Sequence, residues 1–196
     1  YSQEVVDDPY ALTSQGEKVQ CVAPVANEFV VNAETNGRQT DPTIGADKDG
    51  AFVVAWTSEA QDSSYFGGVY ARQFDSLAQP VTGDITLASS QIGTNYYGPA
   101  DAAMSDDGFA VVAWGYNDWN DRTGVSTLYH SILEPQSAKF VVDHEVVAEG
   151  AYGASVAFAY SVVDEKTGDY AARFGIAYNV QGGVDTGDDD DDAAAA

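Results

Sequence analysis

The chain has 196 residues and carries 31 Asp and Glu against 8 Lys and Arg, a formal charge of −23. That balance excludes a basic footprint of the kind that displaces phosphate counterions, so no nucleic acid partner is expected, and it disfavours docking on anionic lipid. No apolar run approaches the ~20 residues of a membrane-spanning helix, so no membrane insertion is expected, and the single Cys21 excludes an intrachain disulfide.

Composition points to a fold class. Gly (19) and Tyr (12) are frequent beside many β-branched residues, whereas Lys, Arg, Leu and Met, which favour helix, are scarce. The chain is expected to be all-β. Strong acidity with few lysines suits extracellular or high-salt surroundings, where net charge sustains solubility. The opening at Tyr1 rather than Met is what a processed secreted protein or a trimmed chain would show, and an extracellular or cell-surface location is expected.

Residues 1–27 come first, with two apolar stretches, EVV (4–6) and KVQCVAPV (18–25). A β-repeat domain is expected over 28–184, because KDGAFVVAWTS (48–58) returns as DDGFAVVAWGY (106–116) and, in worn form, as KTGDYAARFGIAYN (166–179). Three units follow, at about 28–84, 85–144 and 145–184, propeller-blade-like or sandwich-like in geometry. In unit one the alternating pattern predicts strands at EFVVN (28–32), TIGAD (43–47), FVVAWT (52–57) and GVYARQFD (68–75), with a tight hairpin at Asp49-Gly50. Unit two predicts strands at ITLAS (85–89), AAMS (102–105), FAVVAW (109–114) and VSTLYHSIL (125–133), with a turn at Asp107-Gly108. Unit three offers EVVAE (145–149), ASVAFAYSVV (154–163) and RFGIAYNV (173–180), then stops one strand short. Residues 185–196, with Asp188–Asp192 followed by four alanines, read as an acidic low-complexity tail.

The missing strand has a candidate replacement. Unpaired backbone groups and uncovered apolar side chains are costly, so the N-terminal segment is expected to complete unit three. It does so either within the chain or from a neighbouring copy, and pairing between copies gives a homo-oligomer or helical filament. The expected contact residues are Val19, Cys21, Val22 and Val25 on the donor side and Phe174, Ile176 and Tyr178 on the acceptor side.

Unit one resembles a repeat found in tandem in large secreted bacterial surface proteins, often beside calcium-binding nonapeptide modules. The likeness rests on EFVVN (28–32), Gln39-Thr40-Asp41-Pro42, Lys48-Asp49-Gly50, AFVVAWTS (51–58) and GVYARQFD (68–75). The resemblance implies an exported, non-enzymatic, β-rich surface module. Unit three departs from the pattern, having no Asp-Gly pair and no closing strand.

Other candidate sites are loops. Asn117-Asp118-Trp119-Asn120-Asp121 clusters side-chain oxygens, so Asp118, Asn120 and Asp121 are candidate Ca²⁺ ligands; the same loop also reads as a solvated acidic turn. No cofactor is required, calcium being the one candidate ion. Asp47 and Asp49, like Asp106 and Asp107, read as turn residues. Tyr65, Phe66, Tyr96, Tyr97, Tyr116 and Trp119 gather in loops beside Asn and Asp, an arrangement that suits sugar faces, packing interfaces or covers over sheet ends. Trp56 and Trp114 are expected as core anchors. His130, on a strand, and His144, ahead of one, have no nucleophile motif to serve, so no enzyme is expected. The sequence therefore reads as a structural subunit that assembles head to tail by strand addition. The alternative is a calcium-assisted carbohydrate-binding or adhesive module of a larger surface protein.

Overall fold

A computed structural model describes residues 5–12, 18–22, 28–59, 61, 67–89, 95–118, 126–163 and 170–180. The described residues are all-β and antiparallel, with no helix. The chain divides into two compact units, residues 1–31 and 32–196.

In the first unit, β1 (Val5–Leu12) pairs with β2 (Lys18–Val22) as a two-stranded sheet. Val5, Val6 and Asp7 lie opposite Val22, Cys21 and Gln20, after which the register slips before Leu12 meets Lys18. The slip spans Pro9, which has no N–H to give a ladder.

The second unit holds three sheets. The first runs β3 (Gln39–Ala46), β4 (Phe52–Ser58), β5 (Gly68–Phe74) and β6 (Ile85–Ser89), each strand beside the next. The second repeats that order with β7 (Asn95–Met104), β8 (Ala110–Asp118), β9 (Ser126–Leu133) and β10 (Phe140–Glu149). The third has β11 (Ala151–Val163) and β12 (Tyr170–Val180) alone among the described residues.

The second sheet is buried on both faces, which explains the unbroken apolar run AVVAW at 110–114. Ala110, Val112 and Trp114 pack with Val53, Ala55, Val69 and Leu87 of the first sheet. Val111 and Ala113, on the opposite face, pack with Val156, Phe158, Phe174 and Ile176 of the third. Trp56 and Trp114 are buried, as core anchors should be. Where the first two sheets meet, Gly45 lies so near that a Cβ on it would stand 2.6 Å from the Ala103 Cα. Only glycine permits that approach.

The two Asp-Gly hairpins form three-residue loops with glycine at positive φ, Gly50 at 90° and Gly108 at 85°. Asp47 Oδ1 accepts the Asp49 and Ala51 N–H groups in the first, and Ser105 Oγ accepts the Phe109 N–H in the second.

Three expectations need correction. Residues 28–32 are not a strand. ITLAS (85–89) is not the first strand of a second unit, because β6 folds back on β5 and closes the first sheet; EVVAE (145–149) likewise lies within β10 and closes the second. The sheets therefore span 39–89, 95–149 and 151–180, one strand out of phase with the expected units. Self-similarity fixes a period but not its origin, which the β5–β6 connection sets: Asp75 Oδ1 accepts the Leu77 and Gln79 N–H groups, and Val81 N–H returns to the Gln73 carbonyl. Finally, His144 sits inside β10, at a bulge with φ 54°, rather than ahead of a strand.

Candidate functional site

The third sheet differs from its neighbours at its edges. β11 is held against the second sheet by Asp101 of β7. That carboxylate accepts the Val156 N–H at 2.7 Å through Oδ2 and the Thr43 hydroxyl at 2.9 Å through Oδ1, so one side chain joins β3, β7 and β11. The edge of β11 is occupied at its middle.

The same bond fixes the geometry of β12. Because the Val156 N–H turns away from β12, the Val156–Ile176 pair belongs to the set that exchanges no ladder bonds. Alternation along the uninterrupted register, from Ala154 opposite Tyr178 to Phe158 opposite Phe174, then turns the N–H and C=O of Phe174, Ile176 and Tyr178 to the outer edge. No strand pairs there among the described residues. Tyr178 is 42% exposed and Val180 67%, while Phe174 and Ile176 pack against the second sheet.

Sheet edges invite association unless they are blunted, and the other edges of this unit are. β3 carries Pro42 and a register shift between Thr40 and Thr43, with Asp41 at φ 53°. β7 carries Pro99 at a shift between Tyr97 and Ala100. β6 has only 5 residues. β10 has three register shifts and two acids, Asp143 and Glu145, on either side of His144. From Tyr170 to Val180, β12 has no proline and no acidic residue.

The energetics define what a partner strand must supply. Pairing with Phe174, Ile176 and Tyr178 forms backbone hydrogen bonds worth about 0.5–1.5 kcal/mol net each, whereas association costs ~4–15 kcal/mol in lost freedom. Hydrogen bonds alone do not hold a partner, so apolar side chains must be covered as well.

The predicted site residues are distributed as follows. Val19, Cys21 and Val22 lie on β2, and Phe174, Ile176 and Tyr178 on β12. Val25, Tyr65, Phe66, Trp119, Asn120 and Asp121 lie outside the described residues, and Asp118 and Tyr96 are described only as backbone at the ends of β8 and β7. Tyr97 is buried, with its ring 5.4 Å from that of Tyr116, which stands 6.1 Å from Tyr129. These two tyrosines cap the core. Both histidines also pack: His130 lies against Phe174 with ring centroids 5.7 Å apart, and His144 contacts Trp114 and Tyr129 edge-on.

The hairpin turns of the first two sheets enclose a cleft of about 410 Å³ lined by Asp47, Asp49, Asp75, Asp106 and Asp107. Lys48 stands among them, its ammonium held charged above its usual range by the hydrogen bond to Asp49 and by the Asp106 and Asp47 charges. No group of three or more His, Cys, Asp or Glu suited to a metal occurs among the described residues.

Sequence reasoning missed three positioning residues. Asp101 is signalled only by one acid within an apolar strand. Gln73 is 1% exposed, and its amide donates to the Glu134 and Ser137 carbonyls and accepts from the Gln136 N–H, tying the β9–β10 turn to the first sheet. Gly45 is a lone glycine within a strand.

No protein family and no curated protein matches this sequence. Among solved structures, the chain is similar to an endo-arabinase from Bacteroides thetaiotaomicron at a TM-score of 0.48 and 18% identity, over 82% of this chain. It spans 57% of that structure.

Proposed function

We propose that the chain is a non-enzymatic extracellular structural module that assembles head to tail, by strand addition, into a filament or surface array. The observation that carries this reading is the edge of β12, whose hydrogen-bonding groups face outward without a proline, a bulge or an acid to deter a partner. Strand addition at such an edge is a recognised mode of assembly, and a contact between two different surfaces of one chain propagates rather than closing on itself.

One further feature supports the reading: the charge of −23 keeps assembled fibres apart in solution.

Light scattering and negative-stain imaging of the 196-residue chain test the proposal. Polymers with a regular axial repeat are expected. A monodisperse particle of 20.7 kDa at every concentration and salt level contradicts it.

A further inference from the structure

The assembly reading does not fix which strand of which copy pairs with β12 or in what order, and the following inference rests on that reading. We infer that the edge of β12 receives the β1–β2 hairpin of a second copy, with β2 innermost, giving the sheet order β11-β12-β2-β1.

Strand number comes first. Among the described residues the first and second sheets each have four strands, the third has two, and β1–β2 is a two-stranded sheet of its own. Joining the two pairs restores the four-strand pattern, with β2 and β1 taking the places that β9 and β10 hold in the second sheet.

The order within the added pair follows from the same features that blunt edges elsewhere. β1 carries Asp7, Asp8 and Pro9 at its register slip, the proline-and-acid pattern of a strand that ends a sheet. β10 likewise carries an acid at a register shift, Asp143 within the slip between Val142 and Glu145. β2 has no proline and no acid, and its register opposite β1 is regular from Gln20 to Val22. It is the strand fit to be paired on both sides.

Charge favours the same pairing. In a chain of −23, both β2 and β12 are free of Asp and Glu; Lys18 and Arg173 are their charged residues. Most other surfaces of two copies repel, while these two strands meet without like charges opposite. Alternation also assigns faces. Val19 and Cys21 fall on one side of β2, with Lys18, Gln20 and Val22 on the other. On β12, Phe174, Ile176 and Tyr178 share the side toward the second sheet, and Gly175, Ala177 and Asn179 share the other. Placing Val19 and Cys21 in the Phe174–Tyr178 row extends the apolar layer across the joint.

Because Cys21 is the chain's one cysteine, it reports its own neighbours. Directly opposite residues in an antiparallel pair stand within the Cα separation that a disulfide spans. Single cysteines are introduced by Ile176→Cys, Tyr178→Cys and Val180→Cys, with Ala177→Cys and Asn179→Cys for the other face and Tyr152→Cys for β11. Each variant is oxidised mildly under the imaging conditions and run on a non-reducing gel, beside a Cys21→Ser control.

The expected result is a ladder of dimers and higher species from at least one of the first three variants, abolished by Cys21→Ser and absent from the rest. A disulfide formed at monomer size places β2 in its own chain and overturns the inference. A ladder from 177 or 179 alone overturns the face assignment, and one from 152 overturns the choice of edge. Polymers seen by imaging with no cross-link from any variant overturn β2 as the donor while the assembly reading stands. Monomers throughout overturn that reading itself.

Discussion

Asp101 is the side chain on which the stacking of the three sheets depends, and removing it gives a defined loss. In Asp101→Ala the Val156 N–H, on a residue 9% exposed, loses a 2.7 Å bond to a carboxylate, and the Thr43 hydroxyl loses a 2.9 Å bond. Hydrogen bonds to charged groups contribute about 1.5–3 kcal/mol each, and a buried N–H left unpaired costs about 1–3 kcal/mol. Asp101 and Thr43 are only part-buried, so water recovers some of the second bond, and the expected destabilisation is about 2–4 kcal/mol. That is a large share of the ~5–15 kcal/mol available to a domain. Asp101→Asn keeps one acceptor for Val156 and is expected to cost about 1 kcal/mol. Urea unfolding followed by the fluorescence of the buried Trp56 and Trp114 reads both values, and a Thr43→Val cycle isolates the pairwise part. Amide exchange at Val156 is expected to quicken in Asp101→Ala before global unfolding does. Stability of Asp101→Ala within 0.5 kcal/mol of the parent would refute the role given to this carboxylate.

Other perturbations follow from the same contacts. Gly45→Ala sets a Cβ 2.6 Å from the Ala103 backbone and is expected to lower stability by more than about 2 kcal/mol, whereas Gly83→Ala, with nothing within 4 Å, is expected to be near neutral in the same melt. Gln73→Ala removes three hydrogen bonds to the β9–β10 turn and is expected to cost about 3 kcal/mol, with exchange at residues 134–139 rising first. Polymer yield, measured by sedimentation, is expected to rise with salt from low ionic strength, since copies of charge −23 repel over a Debye length of about 10 Å at 0.1 M. Ala177→Lys is expected to suppress sedimentation while leaving the unfolding midpoint within about 0.5 kcal/mol of the parent, because a lysine on an edge strand blunts it without entering the core.

Much of the fold is legible in the sequence because its signals are local. FVVAW and AVVAW predict strands, Asp49-Gly50 and Asp107-Gly108 predict hairpins, and the structure forms all four within a residue or two. The phase of the sheets is not legible, since ITLAS looks the same whether it opens one sheet or closes another. The Asp75 turn decides it through side-chain bonds that no periodicity encodes. The candidate edge was legible only in part. A short third sheet is the expectation that the length of unit three raises, but the Asp101 carboxylate that meets the edge of β11, and so turns alternate groups of β12 outward, joins residues 55 positions apart, which no local pattern encodes. His144 was misplaced for a related reason: a positive-φ bulge inside β10 lets a strand run through a residue that alternation would exclude.

The amides of Phe174, Ile176 and Tyr178 put the central claim to its most direct test. Hydrogen exchange is measured on dispersed and on polymerised protein, with Gly175 and Ala177 as internal references already bonded to β11. The account predicts fast exchange at the three outward amides in the dispersed chain and strong protection of the same three on assembly. Equal exchange in both states would contradict it, because the polymer would then be held by some other surface.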